Sequence, residues 1–373
     1  MLMTNIEVKE VPFTVNRNDW RRLVDQVANG FRMAIYNGYY QAGDALPSRA
    51  KLARLLGVSE RVPRMAMAQL AEEGLVVQRP GTGCRVLPSA HPDFYGHVLY
   101  ITPEEDGSFY FNVFAATMQR KLRESHWMFS RLTFHKLDDG RFDISESDIS
   151  IYKPIDFAIL HYTVSQYSDF ERWFSCLGIP YVMLGYGLKG DFESRVGLVP
   201  YDLSGAIAEF RRHCVSRGIE RVLQIGGGRG SRTDAATALR NVGIDVECLY
   251  PHIAPNAMVD AYIRAGMDSL IARMKSRQGK DPQLVYIADD WLAIGALQAL
   301  SCLRIRIPED MTLVSYSNLG LGPVFVRSLT RIEVDPIEDG TRAASAVLEY
   351  LKSGRSFEMK AFSGRYVVGP TFP

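Results

Sequence analysis

The stretch LPSRAKLARLLGVSERVPRMAMAQLAEEGLVVQRPGTGCRVL, residues 46–87, decides the fold at the start of this chain. Ser48 is a good helix N-cap and Gly57 ends the short helix after it, which predicts a helix, a tight turn and a second helix. Apolar strands on either side of the turn Gly81-Thr82-Gly83 then predict a two-stranded hairpin. Helix, turn, helix and hairpin together form a winged helix-turn-helix, which is a DNA-reading module.

The second of these helices carries the side chains predicted to read bases. Ser59 is its predicted N-cap, and its apolar side, which repeats at helical spacing, consists of Val62, Ala66, Met67 and Leu70. Arg61 and Arg64 fall on the opposite face, where a guanidinium can bind a guanine edge or a phosphate. We therefore predict that Arg61 and Arg64 enter the major groove.

Other residues of the module are suited to contact the DNA backbone. Ser48, Arg49 and Lys51 lie at the start of the first helix, and we predict them near phosphates. The glycines of Gly81-Thr82-Gly83 allow the backbone of the hairpin turn to approach a phosphate or the minor groove. An amphipathic helix over residues 19–37 is predicted to precede the module and to complete its core.

Composition indicates an ordinary soluble globular protein. The chain has 373 residues, of which 47% are apolar and 23% are charged, and it is long enough for two or three cores. Residues 1–88 carry 12 Lys and Arg against 8 Asp and Glu, whereas residues 89–373 carry 31 against 34. The basic excess lies in the predicted DNA-reading module, as expected if only that segment meets phosphates.

Several classes of protein are disfavoured by the sequence. No apolar run approaches the roughly 18 to 20 residues of a membrane span, and the first 18 residues do not form a secretory signal, so we predict a cytoplasmic protein without a membrane partner. The five cysteines are odd in number and never spaced C-x-x-C, which predicts buried free thiols. The seven histidines show no metal-binding spacing. We therefore expect no metal and no cofactor.

The segment from Pro88 to Pro92 is a natural domain boundary. After it, short apolar strands alternate with amphipathic helices, first over residues 98–186 and again over residues 204–315. This alternation predicts an α/β domain of doubly wound parallel sheets in two lobes, with a ligand cleft between them. The predicted division is a DNA-binding domain over residues 1–88, a linker over 89–96 and an effector-binding and dimerisation domain over 97–373.

Residues 35–86 resemble the winged helix of the GntR family of bacterial transcription regulators. The family frame of Leu-Pro-Ser, Leu-Ala, Gly-Val-Ser, an arginine five residues on, Glu-Gly-Leu and Gly-x-Gly is matched in order. The chain departs from the family where DNA is contacted, because Glu60 and Val62 replace an arginine and a threonine and Ala50 replaces an arginine. The resemblance implies a homodimer on a two-fold operator in double-stranded DNA, and the departures imply an operator unlike the common family sequence.

Residues 97–370 resemble the sensor domain of LacI-type regulators, which has the fold of periplasmic sugar-binding proteins. Residues 289–295, DDWLAIG, stand where that family has Asn-Asp-x-x-Ala-x-Gly, and residues 307–310, 314–318 and 329–332 follow in matching order. The resemblance implies a small polar effector, a sugar, as the second partner. A sensor of this type joined to a GntR-type module is known among sugar-responsive repressors.

The second resemblance also implies effector-binding residues. Asp289 stands at the ligand-binding Asn of the family, Ser317 at its aspartate, and Arg232 or Arg229 near its arginine. Asp290 is predicted as the N-cap of the helix after it. Aromatic residues near strand ends are candidates to stack on a ring: Phe109, Tyr110, Tyr186 and Trp291.

The sequence favours a ligand-controlled transcriptional regulator, interpreted as a repressor and not as an enzyme. One alternative is a DNA-binding regulator with a degenerate, ligand-free sensor. A remote alternative is a nucleotide-dependent enzyme, because the loop Gly226–Ser231 lies between a strand predicted over residues 222–226 and a helix predicted over 232–242. Ser231 replaces the third glycine of G-x-G-x-x-G and no Walker lysine follows.

Overall fold

The computed structural model describes most of the chain. The described residues are 10–17, 22–36, 38–79, 83–88, 94–103, 109–134, 145–152, 154–161, 168–185, 195–227, 233–254, 257–276, 280–319, 325, 328–354 and 357–373. Some residues singled out above lie outside these ranges, namely Gly81, Thr82, Tyr186, Arg229, Ser231 and Arg232.

The first part of the chain is a winged helix, as predicted. Its elements are α1 (Leu23–Tyr36), α2 (Arg49–Leu56), α3 (Arg61–Glu72), β1 (Val76–Arg79) and β2 (Gly83–Val86). The α2 helix is capped at both predicted residues, because Ser48 Oγ accepts a hydrogen bond from Lys51 N at 3.3 Å and Gly57 ends the helix with φ +64°. The strands β1 and β2 pair antiparallel. Val27, Phe31, Ile35, Leu52 and Leu70 lie in the buried core of this unit.

The prediction that Ser59 caps α3 is wrong. Glu60 occupies the N-cap position with helical backbone angles, and no side chain caps the helix. The carbonyl of Ser59 instead accepts a hydrogen bond from Val62 N at 3.0 Å, so the turn tightens one residue ahead of the helix. The exposed and buried faces of α3 are as predicted, with Arg61 and Arg64 exposed.

The first lobe is a five-stranded parallel sheet with helices. Its elements are β3 (Gly96–Pro103), α4 (Phe109–Glu124), β4 (Trp127–Phe134), α5 (Glu146–Ser150), β5 (Phe157–His161), α6 (Ser168–Leu177), β6 (Tyr181–Leu184) and β7 (Arg195–Val199). The strands run in the order β4-β3-β5-β6-β7. The short α5 and the edge strand β7 are additions to the predicted elements.

The rest of the chain forms β8 (Tyr201–Asp202), α7 (Ser204–Ser216), β9 (Arg221–Ile225), α8 (Ala236–Arg240), β10 (Asp245–Leu249), α9 (Val259–Ser276), β11 (Leu284–Ile287), α10 (Asp290–Cys302), β12 (Thr312–Asn318), β13 (Thr330–Val334), α11 (Pro336–Ser353), β14 (Phe362–Ser363) and β15 (Arg365–Val367). The second lobe is a six-stranded sheet in the order β10-β9-β11-β12-β13-β15, parallel except for β15. The helix α11 packs on α4 and so belongs to the first lobe. The chain crosses between the lobes at β8 and β14, which pair with each other.

The helix predicted over residues 232–242 is shorter than expected. Only Ala236–Arg240 are helical, because side chains hold the backbone just before them in a turn. Gln224 Oε1 accepts a hydrogen bond from Ala235 N at 3.2 Å, and Asp234 Oδ1 accepts one from Ala236 N at 3.0 Å. These side-chain acceptors replace the carbonyls that an earlier helix start would supply.

The prediction of buried free thiols is partly wrong. All five cysteines are free, but Cys176 and Cys302 are exposed while Cys214 is buried. Within the described residues, no helix is long and apolar enough to cross a membrane. No cluster of three or more candidate metal ligands is found in the same part of the chain.

Candidate DNA interface and effector cleft

The exposed face of α3 carries unpaired positive charge. Arg61 and Arg64 lie one turn apart, both are exposed, and neither forms an ion pair with a residue that the structure describes. Met65 and Ala68 complete this face, and Met65 is 41% exposed. A helix face that carries two exposed guanidinium groups can enter a major groove.

A groove of about 550 Å³ separates α2 from the wing. Arg49 crosses it and donates a hydrogen bond from Nη2 to Gln78 Oε1 at 2.9 Å. Arg79, which was not among the predicted site residues, lines the same groove and is exposed. In the sequence, the position of Arg79 directly before the predicted turn of the hairpin could have indicated a role in DNA binding. Burial raises the pKa of Cys84 in this groove to about 11, so its thiol stays protonated at neutral pH.

The other described residues that were predicted to bind DNA are all exposed. Ser48 is exposed, but its hydroxyl oxygen already caps α2. Lys51 and Ser59 are exposed. Gly83 is exposed with φ +80° and has open space where a side chain would stand. Gly81 and Thr82 lie outside the described residues.

The winged helix is docked on the first lobe through aromatic rings. Tyr36, at the end of α1, stacks on Tyr95 with ring centroids 4.6 Å apart and an angle of 12° between the planes. The Tyr95 hydroxyl donates to the carbonyl of Tyr36 at 3.2 Å, and the Tyr95 ring lies 5.2 Å from that of His126. Met33 of α1 belongs to the buried cluster that includes the core of the first lobe. We call this contact the junction.

Charged side chains surround the junction. Arg32 of α1 forms two hydrogen bonds to the carboxylate of Glu73, at 2.6 and 3.0 Å. Asp156 of the first lobe accepts a hydrogen bond from His97 N at 2.9 Å. Burial raises the pKa of Asp156, and the His97 amide and the charge of Arg32 oppose that rise. A carboxylate of the first lobe therefore interacts electrostatically with the winged helix.

In the second lobe the N-cap of α10 is Asp289, and the prediction that Asp290 caps this helix is wrong. Asp289 Oδ1 accepts hydrogen bonds from Trp291 N at 2.9 Å and Leu292 N at 3.0 Å. Asp289 lies between β11, which ends at Ile287, and α10, which begins at Asp290. Its backbone is extended, as is usual for an N-cap residue. Burial raises the pKa of Asp289.

Asp290 is buried beside the end of β12. Its Oδ2 accepts a hydrogen bond from the backbone N–H of Asn318 at 3.2 Å and another from Nδ2 of the Asn318 side chain. Burial and the adjacent charge of Asp289 raise the pKa of Asp290 to about 7, against the opposing hydrogen bonds from Asn318. Ser317, predicted to bind the effector, precedes Asn318 on the same strand and is 5% exposed.

The raised pKa of Asp290 makes stability depend on pH. The pKa of Asp290 is about 7 in the folded protein and about 4 in the unfolded chain. The protonated carboxyl group therefore contributes its full stabilisation of the fold below pH 4, and this contribution is lost as pH rises through 7. Asp290→Asn is expected to stabilise the fold at pH 8 by on the order of 2 kcal/mol and to have a smaller effect at pH 5. Urea unfolding at both pH values measures this. The exposed Asp268→Asn is the control, and an equal effect of both variants contradicts the prediction.

The two predicted aromatic residues at the cleft contact each other. Phe109, at the start of α4 in the first lobe, lies 4.4 Å from Trp291 at the start of α10 in the second lobe, measured between ring centroids. The structure thus brings together Phe109, Trp291 and Asp289 across the two lobes. Tyr110 is buried instead, and its hydroxyl donates to Asp339 Oδ2 at 2.9 Å. Tyr186 and Arg232 lie outside the described residues.

A buried histidine between the lobes was missed in the sequence. His161 ends β5 and is fully buried, and its Nδ1 lies 2.7 Å from the Tyr100 hydroxyl. Its Nε2 forms a hydrogen bond with the hydroxyl of Tyr201 on β8. Because these residues are 40 to 61 positions apart, no local pattern could reveal the cluster. It joins the first lobe to a segment that passes between the lobes.

The glycine-rich loop has a packing role where it is described. A Cβ on Gly226 would stand 2.5 Å from Leu292 Cδ1, and one on Gly227 would stand 2.7 Å from the Ala288 Cβ. Both glycines also have positive φ, of +80° and +67°. The first helix after Gly227 in the part of the chain that the structure describes is α8, which has five residues.

Two family models match the chain. Residues 23–86 match bacterial regulatory proteins of the gntR family. Residues 211–369 match a periplasmic binding protein-like domain. The first match covers the winged helix, and the second covers most of the second lobe together with α11.

Relatives and solved structures agree with the two models. The chain is 34% identical over 84 residues to the HTH-type transcriptional repressor PurR of Vibrio cholerae, a match covering 21% of this chain and about a quarter (25%) of that protein. A LacI family transcriptional regulator from Enterococcus faecium, solved with bound ribose, has a TM-score of 0.59 at 15% identity over 74% of this chain and 98% of the other.

A third comparison adds a named GntR protein. The transcription regulator GntR from Chromobacterium violaceum has a TM-score of 0.56 at 20% identity, over 74% of this chain and 99% of the other. At these identities the solved structures support the two-lobed fold. The chain therefore joins a winged helix that matches the gntR family of bacterial regulatory proteins to a two-lobed domain that matches periplasmic binding protein-like domains.

Proposed function

We propose that this chain is a sequence-specific transcriptional regulator whose DNA binding is controlled by a small polar effector. The observation that carries the proposal is the pair of exposed guanidinium groups on α3 of a winged helix, which have no ion-pair partner among the described residues. A groove lined by Arg49 and Arg79 lies between α2 and the wing of the same unit. In this proposal Arg61 and Arg64 enter the major groove, and Ser48, Arg49, Lys51 and Arg79 lie near phosphates. Ser59 and the turn Gly81-Thr82-Gly83 lie at the edge of the interface.

The regulator acts as a repressor and as a homodimer in this proposal. The similarity to a protein named a repressor supports the first statement. A two-fold dimer requires two half-sites about one helical turn, roughly 34 Å, or a multiple of that, apart. The proposed domains are residues 1–88 for DNA binding, 89–96 as linker and 97–373 for effector binding and dimerisation. The protein acts in the cytoplasm, where its DNA lies, and it catalyses no reaction.

Salt-dependent DNA binding tests the proposal. Purified full-length protein is titrated against double-stranded DNA from its own upstream region at 50 and 200 mM salt, and binding sites are located by footprinting. With six to ten phosphate contacts, affinity is expected to fall about 10³- to 10⁵-fold between these concentrations. Two protected half-sites are expected. Absence of salt-sensitive binding to any duplex would rule out the regulator.

The proposed effector is a sugar. Asp289, Ser317, Phe109 and Trp291 are its proposed contacts in the described residues, with Arg232 and Tyr186 completing the set. Similarity to a regulator solved with ribose supports this class of ligand. The test is a thermal-shift assay with a panel of neutral sugars. A true effector, at about 100 times its dissociation constant, is expected to stabilise the protein by roughly 2.7 kcal/mol.

A regulator with a ligand-free sensor is the second candidate. It is favoured by the direct contact of Phe109 with Trp291 and by the use of Asp289 Oδ1 as a helix cap. Both features occupy groups that a sugar would need. If no sugar shifts the melting temperature while DNA binding persists, this second function replaces the first.

The junction is the proposed route from sensor to DNA. Tyr95→Ala removes the ring stacked on Tyr36 and is expected to free the winged helix from the first lobe, so that thermal unfolding is broader than in the wild type or separates into more transitions. Calorimetry of the full-length protein measures this. The neighbouring Phe94→Ala removes a 39% exposed ring and is the control. Identical transitions in Tyr95→Ala and wild type would show that the docking contributes nothing to stability.

A further inference from the structure

Glu60, at the start of α3, bears a carboxylate that has no partner among the residues that the structure describes. Glu60 is exposed at the N-cap position but makes no side-chain cap. Its carboxylate has no hydrogen bond or ion pair with any residue that the structure describes. The Arg61 and Arg64 guanidinium groups follow it on the exposed face of the same helix, and neither pairs with it.

A free carboxylate is unfavourable on a surface that meets phosphates. Its repulsion by the DNA backbone opposes the attraction of Arg61 and Arg64. A hydrogen bond from a base to the carboxylate offsets this repulsion. In the major groove, the amino group of cytosine is the donor that pairs with Glu or Asp, whereas guanine presents only acceptors there.

We propose that Glu60 determines operator specificity by accepting a hydrogen bond from the N4 amino group of a cytosine in each half-site. This inference rests on the proposed function, since it places α3 in the major groove. The first residues of a recognition helix are those that contact base edges, and Glu60 directly precedes that first turn. Arg61 or Arg64 would bind a neighbouring guanine, so each half-site contains at least two G·C pairs at the positions facing α3.

A structural role for Glu60 makes a different prediction. A carboxylate at a helix N-terminus interacts favourably with the helix dipole, and this stabilises the fold without affecting base preference. A structural role therefore changes the melting temperature and leaves the operator sequence unchanged. A specificity role changes the preferred base at one position in each half-site.

Selection of binding sites from a random duplex library by the full-length protein distinguishes these roles. Wild-type protein is expected to select cytosine at one position of each half-site by about tenfold over the other bases. Glu60→Ala is expected to lose that preference. Glu60→Gln is expected to move it towards adenine, because an amide can donate to N7 and accept from N6.

The matched control is Glu72→Gln. Glu72 is exposed at the last position of α3, so this variant removes the same charge from the opposite end of the helix. Its selected sequence is expected to equal that of the wild type. If Glu60→Ala and Glu60→Gln also select the wild-type sequence, or if the wild type selects no cytosine opposite α3, the inference is overturned while the regulator stands. If the wild type selects no sequence and shows no salt-sensitive binding, the proposed function fails with it.

Discussion

The double substitution Arg61→Ala and Arg64→Ala is expected to weaken operator binding by about 2 to 6 kcal/mol, since each bidentate contact to a base contributes about 1 to 3 kcal/mol. Both side chains are exposed one turn apart on α3. Neither has an ion-pair partner within the described residues, so their removal leaves no buried charge behind. The loss of affinity therefore reports on DNA contacts and not on folding. Fluorescence anisotropy with labelled operator at several salt concentrations measures it.

The same titrations separate base contacts from phosphate contacts. An arginine bound to a base relaxes the preference at one position, whereas an arginine bound to phosphate weakens all sequences equally and lowers the salt slope by about 1. We expect the first pattern for Arg64 alone, with a loss of about 1 to 3 kcal/mol.

The control for this prediction is the double substitution Arg120→Ala and Arg123→Ala, which removes two arginines with the same spacing from α4. Arg120 and Arg123 lie three residues apart on α4 and are both exposed. Removing them changes the net charge by the same amount, so any general effect of charge on DNA attraction appears in both double variants. An equal loss of affinity in the two would place the DNA interface away from α3.

The caps of the winged helix show what the sequence can predict. Ser48 and Gly57 were both assigned correctly because a cap depends on a few neighbouring residues and on backbone freedom at a single glycine. Ser59 was assigned wrongly because Glu60 adopts helical angles without capping, which the pattern of residues does not indicate. Asp290 was misassigned for a related reason, since two adjacent aspartates can each serve as a cap.

The sensor shows where local patterns are insufficient. The alternation of strands and helices predicted two lobes, yet α11 was not identified although Asp335, Pro336 and Gly354 mark its start and end. The cluster of Tyr100, His161 and Tyr201 could not have been found, because strand pairing brings distant positions together. The junction between Tyr36 and Tyr95 is likewise a product of tertiary packing.

Gly295→Ala is expected to destabilise the sensor by about 3 kcal/mol or more, which corresponds to a fall in melting temperature of about 6 to 12 °C. A Cβ on Gly295 of α10 would stand 1.8 Å from the carbonyl oxygen of Ile263 and 2.7 Å from Met267 N on α9. A Cβ on Gly266 would likewise stand 2.2 Å from the carbonyl oxygen of Leu292. Because the backbone fixes the position of each Cβ and the atoms it would meet are backbone atoms, no side-chain rotation can relieve the overlap.

The effect of Gly295→Ala should extend to the effector cleft. The start of α10 holds Asp289 as cap and Trp291 against Phe109, so separating α10 from α9 displaces the proposed ligand contacts. Thermal unfolding and the sugar-induced shift are measured on the same samples. The control is Gly205→Ala in α7, where a Cβ meets no atom within 4 Å, and it is expected to raise stability by up to about 1 kcal/mol. A Gly295→Ala protein as stable as this control would mean that α9 and α10 do not pack through their backbones.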